Sequence, residues 1–408
     1  MALIVKKFGG SSVATPEKMR SIVNRVLGGK APDDKIVVVV SAMGDTTDEL
    51  VCLAKQITNK TYGREMDMLL STGEQVSIAL MAMAFEAAGQ KAISMTGAQA
   101  GIETSDAFNK GRILKMEPTR VLEALADGNL VVVAGFQGMT DGGDITTLGR
   151  GGSDTTAVAL AGAMKADVCE IFTDVDGVYS ADPRIVPTAR KMTEITYGEM
   201  LEMARLGAGV MQPRAVEMGC RFTVPIHVRS TFSSEKGTII REEYTMLEDK
   251  QYMIRGVAHD TEVAKVAILG VKNEPGVAHR IFQTLADKNI DVDMIVQSVR
   301  TAQQNETDMI FTINRADVMV AREVLEALKS VLTVEDILID DKMAKVSIVG
   351  AGMLGSPGIA AAMFGVLGSI GVNIEIISTS EISISCLIEE AYVKESVNAI
   401  HKHFFGEE

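Results

Sequence analysis

The residues best equipped for chemistry lie in glycine-rich stretches. The first, Lys7-Phe8-Gly9-Gly10-Ser11-Ser12, runs into Thr15-Pro16-Glu17. Paired glycines let backbone N–H groups approach a phosphate closely, and a helix starting at Pro16 under a Thr15 cap adds its dipole. Lys7 at a strand end would neutralise charge on a transferred group, although a tight turn with a solvated lysine fits the same residues. The second stretch is Gly149-Arg150-Gly151-Gly152-Ser153-Asp154-Thr155-Thr156. Arg150 offers a bidentate fork for a carboxylate or phosphate, with glycine N–H groups and hydroxyls as further donors. Asp154 is either a working carboxylate or the N-cap of the following helix.

Two such loops at strand-to-helix turns of one sheet point to a shared phosphate ligand at the strands' carboxyl ends. A third segment, from Thr173-Asp174 through Tyr179 to Arg184, offers a ring and a guanidinium for a base and its phosphates; Asp176-Gly177 also reads as an ordinary turn. Ser41 and Thr47 flank another post-strand loop. Glu74 is expected to open a helix at Ser71-Thr72-Gly73, completing a polar cradle for an amine or carboxylate, while capping explains Ser71 or Thr72 as well. The pattern GxxxxGK[ST] is absent. None of the five histidines lies in these loops, so no imidazole base presents itself. A carboxylate acceptor is already ionised at neutral pH and needs none; positioning and charge neutralisation suffice.

These loops need a scaffold. Apolar runs at 3–7, 36–41, 92–96, 130–136, 170–173 and 224–229 alternate with helical patterns at 16–27, 45–56, 73–88, 118–127, 154–164 and 197–205. Continuous valines at 37–40 suit strands buried on both faces, so an α/β domain with a mostly parallel sheet is expected. Gly142-Gly143 reads as a hairpin turn. Forty Lys and Arg stand against 54 Asp and Glu, giving a charge of −14, and there is no Trp. That balance argues against nucleic-acid and anionic-membrane partners. Four scattered cysteines without CxxC spacing fit a reduced, cytoplasmic chain, and no apolar leader precedes Lys6-Lys7. The stretch 359–374, broken by glycines, falls short of a membrane span.

A boundary is expected at 241–253, followed by an internal repeat. Ala264-Lys-Val-Ala-Ile-Leu-Gly270 matches Ala344-Lys-Val-Ser-Ile-Val-Gly350, and each is followed by Pro-Gly, at 275–276 and 357–358. Second strands follow at 290–295 and 372–377, then strands at 307–313 and 383–388 and helices at 317–331 and 394–404. The order is that of two ferredoxin-like βαββαβ units. Gly350-Ala-Gly352-Met-Leu-Gly355 is a literal GxGxxG, with Glu375 twenty residues beyond the last glycine. Too little chain follows it for a dinucleotide-binding domain, and the first copy has no such pattern; it reads as a loop. His401-x-His403 reads as a solvated helix face.

In combination and order, Lys7-Phe-Gly-Gly-Ser-Ser12, Ser41-Ala-Met-Gly-Asp-Thr-Thr47, Gly149-Arg-Gly-Gly-Ser-Asp154 and Thr173-Asp-Val-Asp-Gly-Val-Tyr179 resemble the signature segments of the aspartate kinase (aspartokinase) family. The resemblance covers the whole chain. It implies a three-layer αβα amino-acid-kinase domain at 1–245 and ACT domains at 260–340 and 341–408. It implies transfer of the γ-phosphoryl of MgATP to the side-chain carboxylate of L-aspartate, the first step of lysine, threonine and methionine biosynthesis.

On that resemblance Lys7 and Asp154 are catalytic. Ser41, Thr47, Glu74, Arg150, Gly151, Gly152 and Ser153 hold aspartate, with Arg150 on its α-carboxylate and Glu74 near its ammonium. Lys7, Phe8, Gly9, Gly10, Thr173, Asp174, Tyr179, Arg184, Gly209 and Val210 contact ATP. No Mg²⁺ ligand is evident, so the metal is expected on phosphates and water. Asn273, Glu274, Pro275, Gly276, Val277, Ala278, Asp291, Val292, Asp293 and Gln297 would line an effector site for lysine or threonine, usually formed between subunits. Ile359, Ala360, Asn373, Ile374, Ser380 and Glu381 correspond in the second copy. A plain dimerisation module fits the same turns. A homo-oligomer through the ACT domains is implied, with a shorter ACT-only subunit conceivable from a start near Met246 or Met253. Two departures stand out: Gly209 sits where many relatives carry a lysine, and 353–358 lacks their basic residue and His.

Overall fold

A computed structural model describes residues 2–242, 253–299, 306–332, 334–353 and 356–406. The chain forms two compact units. The first comprises Met1–Val178, Lys191–Ala204 and Gly209–Glu248, and the second Tyr179–Arg190, Arg205–Ala208 and Asp249–Glu408. Two short stretches expected in the kinase domain therefore cluster with the C-terminal unit.

The first unit opens with β1 (Leu3–Phe8), α1 (Pro16–Gly28), β2 (Lys35–Val40), α2 (Thr46–Ile57), α3 (Arg64–Ala87) and β3 (Ala92–Met95). It continues through β4 (Ile102–Thr104), β5 (Ile113–Met116), α4 (Thr119–Ala126), β6 (Leu130–Ala134), β7 (Gln137–Met139), β8 (Ile145–Thr147) and α5 (Gly152–Ala163). The remainder is β9 (Val168–Thr173), β10 (Glu194–Thr196), α6 (Tyr197–Arg205), α7 (Pro213–Phe222), β11 (Ile226–Ser230) and β12 (Thr238–Arg241). Eight strands form one sheet in the order β10-β12-β11-β9-β1-β2-β6-β3, and β5-β4-β7-β8 form a smaller one.

The centre of the large sheet is parallel: β1 lies between β2 and β9, and β6 between β2 and β3. Val37, Val38, Val39 and Val40 are fully buried, as both-face coverage by crossover helices requires. Parallel strands deliver their carboxyl ends, and the loops after them, to one edge. The expected Gly142-Gly143 turn joins the antiparallel β7–β8 pair.

α3 starts nine residues before its expected start at 73, and Glu74 sits in its middle rather than at its start. Ser71 and Thr72 are not caps; their hydroxyls donate to the carbonyls of Met68 and Leu69. Gly73 lies inside the helix because a Cβ there would come 2.9 Å from that of Ala42. Among the described residues this is also the one helix long and apolar enough by composition to cross a membrane, with mean hydropathy 1.4, but half of that window is buried in the unit.

The second unit contains β13 (Gly256–Lys272), α8 (Val277–Ala286), β14 (Val292–Val299), β15 (Glu306–Asn314), α9 (Val318–Leu332) and β16 (Asp336–Val349). α10 (Ile359–Ser369), β17 (Ile376–Thr379), β18 (Ser383–Glu389) and α11 (Val393–Phe405) complete it. Its six strands run β14-β15-β13-β16-β18-β17.

β13 and β16 serve both repeat copies. Residues 263–269 of β13 pair with 336–343 of β16, whereas 256–260 pair with 345–349. The strand completing the second copy is thus the start of β13, upstream of the first copy. The repeat is interleaved rather than consecutive, which the order of motifs alone cannot reveal.

The dinucleotide-like glycines serve packing. A Cβ on Gly350 would lie 2.2 Å from the Met253 carbonyl oxygen, and one on Gly352 would lie 2.7 Å from the Met253 Cα. Leu354 and Gly355 lie outside the described residues, as do Met246 and most of the expected boundary. The solvated-face reading of His401 is corrected: His401 is 3% exposed, its Nε2 shares a 2.8 Å hydrogen bond with Ser180 Oγ, and only His403 faces solvent.

Candidate active site

Alternation along β1 sends its two lysines to opposite faces. Lys6 pairs with Glu170 of β9, which also accepts from Arg229 at 2.9 Å. Lys7, 8% exposed, turns to the other face and meets Asp154 there, Nζ to Oδ1 2.5 Å. Asp154 lies in the first turn of α5, whose N-cap is Gly151 at φ 68. The N-cap alternative for Asp154 therefore falls. Its carboxylate, 8% exposed as a residue, has Oδ1 in an ion pair but without hydrogen-bond geometry. A buried ammonium and carboxylate in contact hold each other in place until a ligand's own charge competes for one of them.

The loop after β1 carries the paired glycines. Ser12 and Val13 N–H groups donate to the Gly9 carbonyl, closing a tight turn ahead of α1. Thr15 caps that helix as expected, accepting from Lys18 N. Gly9 lies beside the ammonium, since a Cβ there would stand 3.5 Å from Lys7 Nζ. At Gly10 a Cβ would approach the Ala42 carbonyl to 2.9 Å, so this loop packs backbone-to-backbone on the one after β2. Gly44 N donates to the Gly10 carbonyl across that contact.

Three other side chains converge. Ser41 Oγ donates to Ser153 Oγ at 2.9 Å. Ala42 N donates to Glu74 Oε1 at 2.9 Å, while Glu74 Oε2 is buried with no hydrogen-bond partner. Burial pushes the Glu74 carboxyl up to about 7, against the opposing pull of the Ala42 N–H. A half-satisfied buried carboxylate suits a cationic ligand. Thr47 stands half-buried in the first turn of α2, and Arg150 is exposed in the loop before α5. β9 ends at Thr173, whose Oγ1 donates to the carboxylate of Asp174 just beyond it.

Gly209 and Val210 belong to the same unit, and a Cβ on Gly209 would meet nothing within 4 Å. Tyr179 and Arg184 fall in the other unit, where Arg184 pairs with Asp182 at 2.8 Å and leaves most of its guanidinium exposed. In that unit Asn273, Glu274, Pro275, Gly276, Val277, Ala278 and Gln297 line one cavity of about 410 Å³. Asp291, Val292 and Asp293 do not line it; Asp293 accepts from Lys345 at 2.6 Å. Ile359 and Ala360 open α10, Asn373 donates to Glu375, Ser380 shares a hydrogen bond with Ser383, Ile374 is half-buried and Glu381 is exposed.

Sequence reasoning missed the residues that brace this site. Asp67, fully buried in α3, accepts from the backbone and side chains of both Asn109 and Thr147. Arg214 donates to the Leu148 and Gly111 carbonyls, at 2.8 and 3.0 Å, and so anchors the chain entering the Gly149 loop. Gln212 packs against Gly151, where a Cβ would fall 1.7 Å from its Cγ. The Gln212-Pro213-Arg214 start of α7 carried a helix signal that could have drawn attention to the last two; Asp67 had none.

The amino acid kinase family model matches residues 2–230, and ACT-domain models match 265–333 and 346–404. An aspartokinase of Bacillus sp. (strain MGA3) is 50% identical over 404 residues, covering 99% of this chain and 97% of the relative. That of Mycolicibacterium smegmatis is 47% identical over 405 residues, covering 99% and 96%. The crystal structure of E. coli aspartokinase III in complex with aspartate and ADP superposes with a TM-score of 0.84 at 25% identity, covering 99% of this chain and all of that one. Fold and cleft together define an amino acid kinase extended by a pair of ACT domains. Within that class the chain belongs to the aspartokinases and is an aspartate kinase, a phosphotransferase with a carboxyl group as acceptor.

Proposed function

We propose that the Lys7–Asp154–Glu74 cleft is where this chain phosphorylates the side-chain carboxylate of L-aspartate, giving 4-phospho-L-aspartate. The observation that carries the reading is the pairing of a buried ammonium with open carboxylate valence: Lys7 on Asp154, and Glu74 with Oε2 unpartnered. MgATP, when bound, supplies the γ-phosphoryl group. Gly9, Gly10 and the start of α1 would cradle its phosphates, and Thr173, Asp174, Gly209 and Val210 of the same unit would make the other nucleotide contacts. The metal would be held by phosphates and water.

Glu74 then holds the substrate ammonium. Arg150 takes the α-carboxylate, and Ser41, Thr47 and the 151–153 backbone with Ser153 fix its orientation. Lys7 offsets the charge that accumulates on the phosphoryl oxygens in the transition state, and Asp154 fixes the Lys7 ammonium. The acceptor carboxylate is already ionised, so no side chain removes a proton from it.

The repeat unit is proposed to sense lysine, threonine or both, with the cavity at 273–278 and Gln297 as the first site and 359–360, 373–374 and 380–381 as its counterpart. Effector binding inhibits only by favouring a less active state through differential affinity. The E. coli aspartokinase III structure with lysine and aspartate, a T-state at 26% identity and TM-score 0.77, supports an amino-acid effector. The enzyme would open lysine, threonine and methionine biosynthesis in the cytoplasm as a homo-oligomer joined through its ACT domains. Hydroxylamine trapping with MgATP and L-aspartate tests the reading. Aspartyl hydroxamate that falls on adding lysine, threonine or both is expected, and insensitivity to every combination would remove the sensory half.

A further inference from the structure

The segment Tyr179–Arg190 belongs to the second unit, where Ala181 and Val186 join the core of the second repeat copy. Asn398 on α11 donates through Nδ2 to the Ile185 carbonyl at 3.0 Å. Ser180 Oγ accepts from the Arg190 N–H at 2.8 Å and shares its other hydrogen bond with His401. These bonds fix the segment along α11. Between the two, with Ile370 just past the end of α10, lies a cavity of about 710 Å³. None of its lining residues has a part in the proposed reaction.

The floor of the cavity is apolar and aromatic. Val186 is 1% exposed, Ile370 and Phe405 are half-buried, and the His401 imidazole stacks on the Phe405 ring with centroids 4.7 Å apart. Burial and the nearby Arg190 hold that imidazole below the usual histidine value, so at neutral pH it is a flat, uncharged surface. Three exposed charged side chains line the rim: Arg190, Lys402 and Glu395. None of the three makes a side-chain hydrogen bond or ion pair among the described residues. The charge of Arg190 acts on His401, the neighbour of Lys402, so both cations gather at the C-terminal end of α11. Glu395 stands seven residues earlier on the same helix, about 10 Å away along its axis.

We propose that this cavity binds a small aromatic monocarboxylate, its carboxylate on Arg190 and Lys402 and its ring over His401 and Phe405. The volume is that of a small-molecule site, apolar with a few convergent polar groups. A guanidinium fork matches a carboxylate bidentately, and flat rings stack on aromatic faces. Glu395 repels a second anionic group at the far end, which disfavours dicarboxylates and phosphate esters. An α-amino acid fits less well: its ammonium, held close to its carboxylate, would lie beside the two cations and could not reach Glu395. The site therefore differs in chemistry from the cavity at 273–278.

The test uses the full chain and 4-fluorobenzoate, followed by ¹⁹F line broadening with excess aspartate and lysine present to compete at the cleft and at the 273–278 cavity. Saturable broadening with Kd below about 1 mM is expected for about ten non-hydrogen atoms. The uncharged 4-fluorobenzamide should bind at least about tenfold more weakly, and so should 4-fluorobenzoate to Arg190→Gln with Lys402→Gln. Glu395→Gln should tighten binding by about two- to threefold, and Ala399→Trp, which fills the cavity, should abolish it. Absence of saturable broadening, equal affinity for the amide, or weaker binding in Glu395→Gln would overturn the proposal. So would undiminished binding in the double glutamine variant or in folded Ala399→Trp. If Ala399→Trp does not fold, the double glutamine variant, altered only at exposed side chains, decides in its place.

Discussion

In the catalytic unit Glu74 keeps one carboxylate oxygen buried without a hydrogen bond, and Lys7 faces Asp154 at a site only 8% exposed. In the second repeat copy the corresponding polar groups are closed on one another: Asn373 on Glu375, Glu375 on Lys265, Ser380 on Ser383. The first copy stands between these extremes, with a cavity of about 410 Å³ at its Pro-Gly turn and Gln297 in its lining. An open buried valence costs stability, so it persists where a ligand's charge will close it. Groups already closed in pairs respond to a ligand only by changing partners, which suits a regulator better than a catalyst.

Breaking the catalytic side has the largest expected effect. Lys7→Ala should lower kcat by about 10³-fold, the upper range for removing one group that stabilises transition-state charge, with nucleotide binding less affected. Steady-state kinetics with ATP and aspartate varied separately would separate the two. Glu74→Gln should raise KM for aspartate by about 10- to 100-fold, the worth of a hydrogen bond to a charged group, and leave ATP binding near normal.

The pH dependence sharpens the assignment. With the Glu74 carboxyl raised to about 7, the free enzyme must lose a proton there to receive an ammonium. kcat/KM for aspartate should fall as pH drops through 7, and Glu74→Gln should lose that limb. The stability sign is opposite. A carboxyl raised above its unfolded value near 4.5 favours the folded state in acid, and that contribution disappears as pH rises through about 7. Ligand-free Glu74→Gln should therefore unfold later than the unmodified chain at pH 8, by up to on the order of 3 kcal/mol, with the gap closing towards pH 5.

The central layout of the large sheet was legible because fully buried parallel strands read as valine runs and because crossover helices are periodic. The cleft was legible because phosphate loops need glycine pairs, whose backbone reason is local. What escaped notice is non-local. The start of α3 was hidden by Ser71-Thr72-Gly73, which resembles a cap in sequence but lies mid-helix, its glycine required by Ala42 across the contact. The interleaving of β13 and β16 depends on strand pairing, and a motif order of β-α-β-β-α-β permits either arrangement. Asp67 and Arg214 act through carbonyls and amides distant in sequence, so no spacing announces them. His401 looked solvated because its partner, Ser180, lies 221 residues away.

On the regulatory side, Gln297→Ala should weaken effector inhibition by about tenfold with kcat unchanged, whereas Asn373→Ala should shift it less, because Asn373 is already engaged with Glu375. Inhibition curves at fixed substrate would rank the two, and a larger effect at Asn373 would invert the comparison. The smallest effect concerns His401. Burial, with Arg190 nearby, holds its imidazole below the usual histidine value. A depressed histidine leaves full stability above its unfolded value near 6.5 and loses it as pH falls through the folded value. His401→Gln should reduce that acid sensitivity, seen as a smaller loss of stability between pH 7.5 and pH 5.5 in chemical unfolding, while His227 and His259, displaced in the same direction, keep the rest.

The most direct measurement of the account is acyl-phosphate trapping by hydroxylamine with MgATP and L-aspartate, run on the unmodified chain and on folded Lys7→Ala and Glu74→Gln. Abundant aspartyl hydroxamate from the first, almost none from Lys7→Ala, and recovery of Glu74→Gln only at high aspartate are predicted. Hydroxamate from Lys7→Ala at the unmodified rate, or none from the unmodified chain, would contradict the placement of the reaction in this cleft.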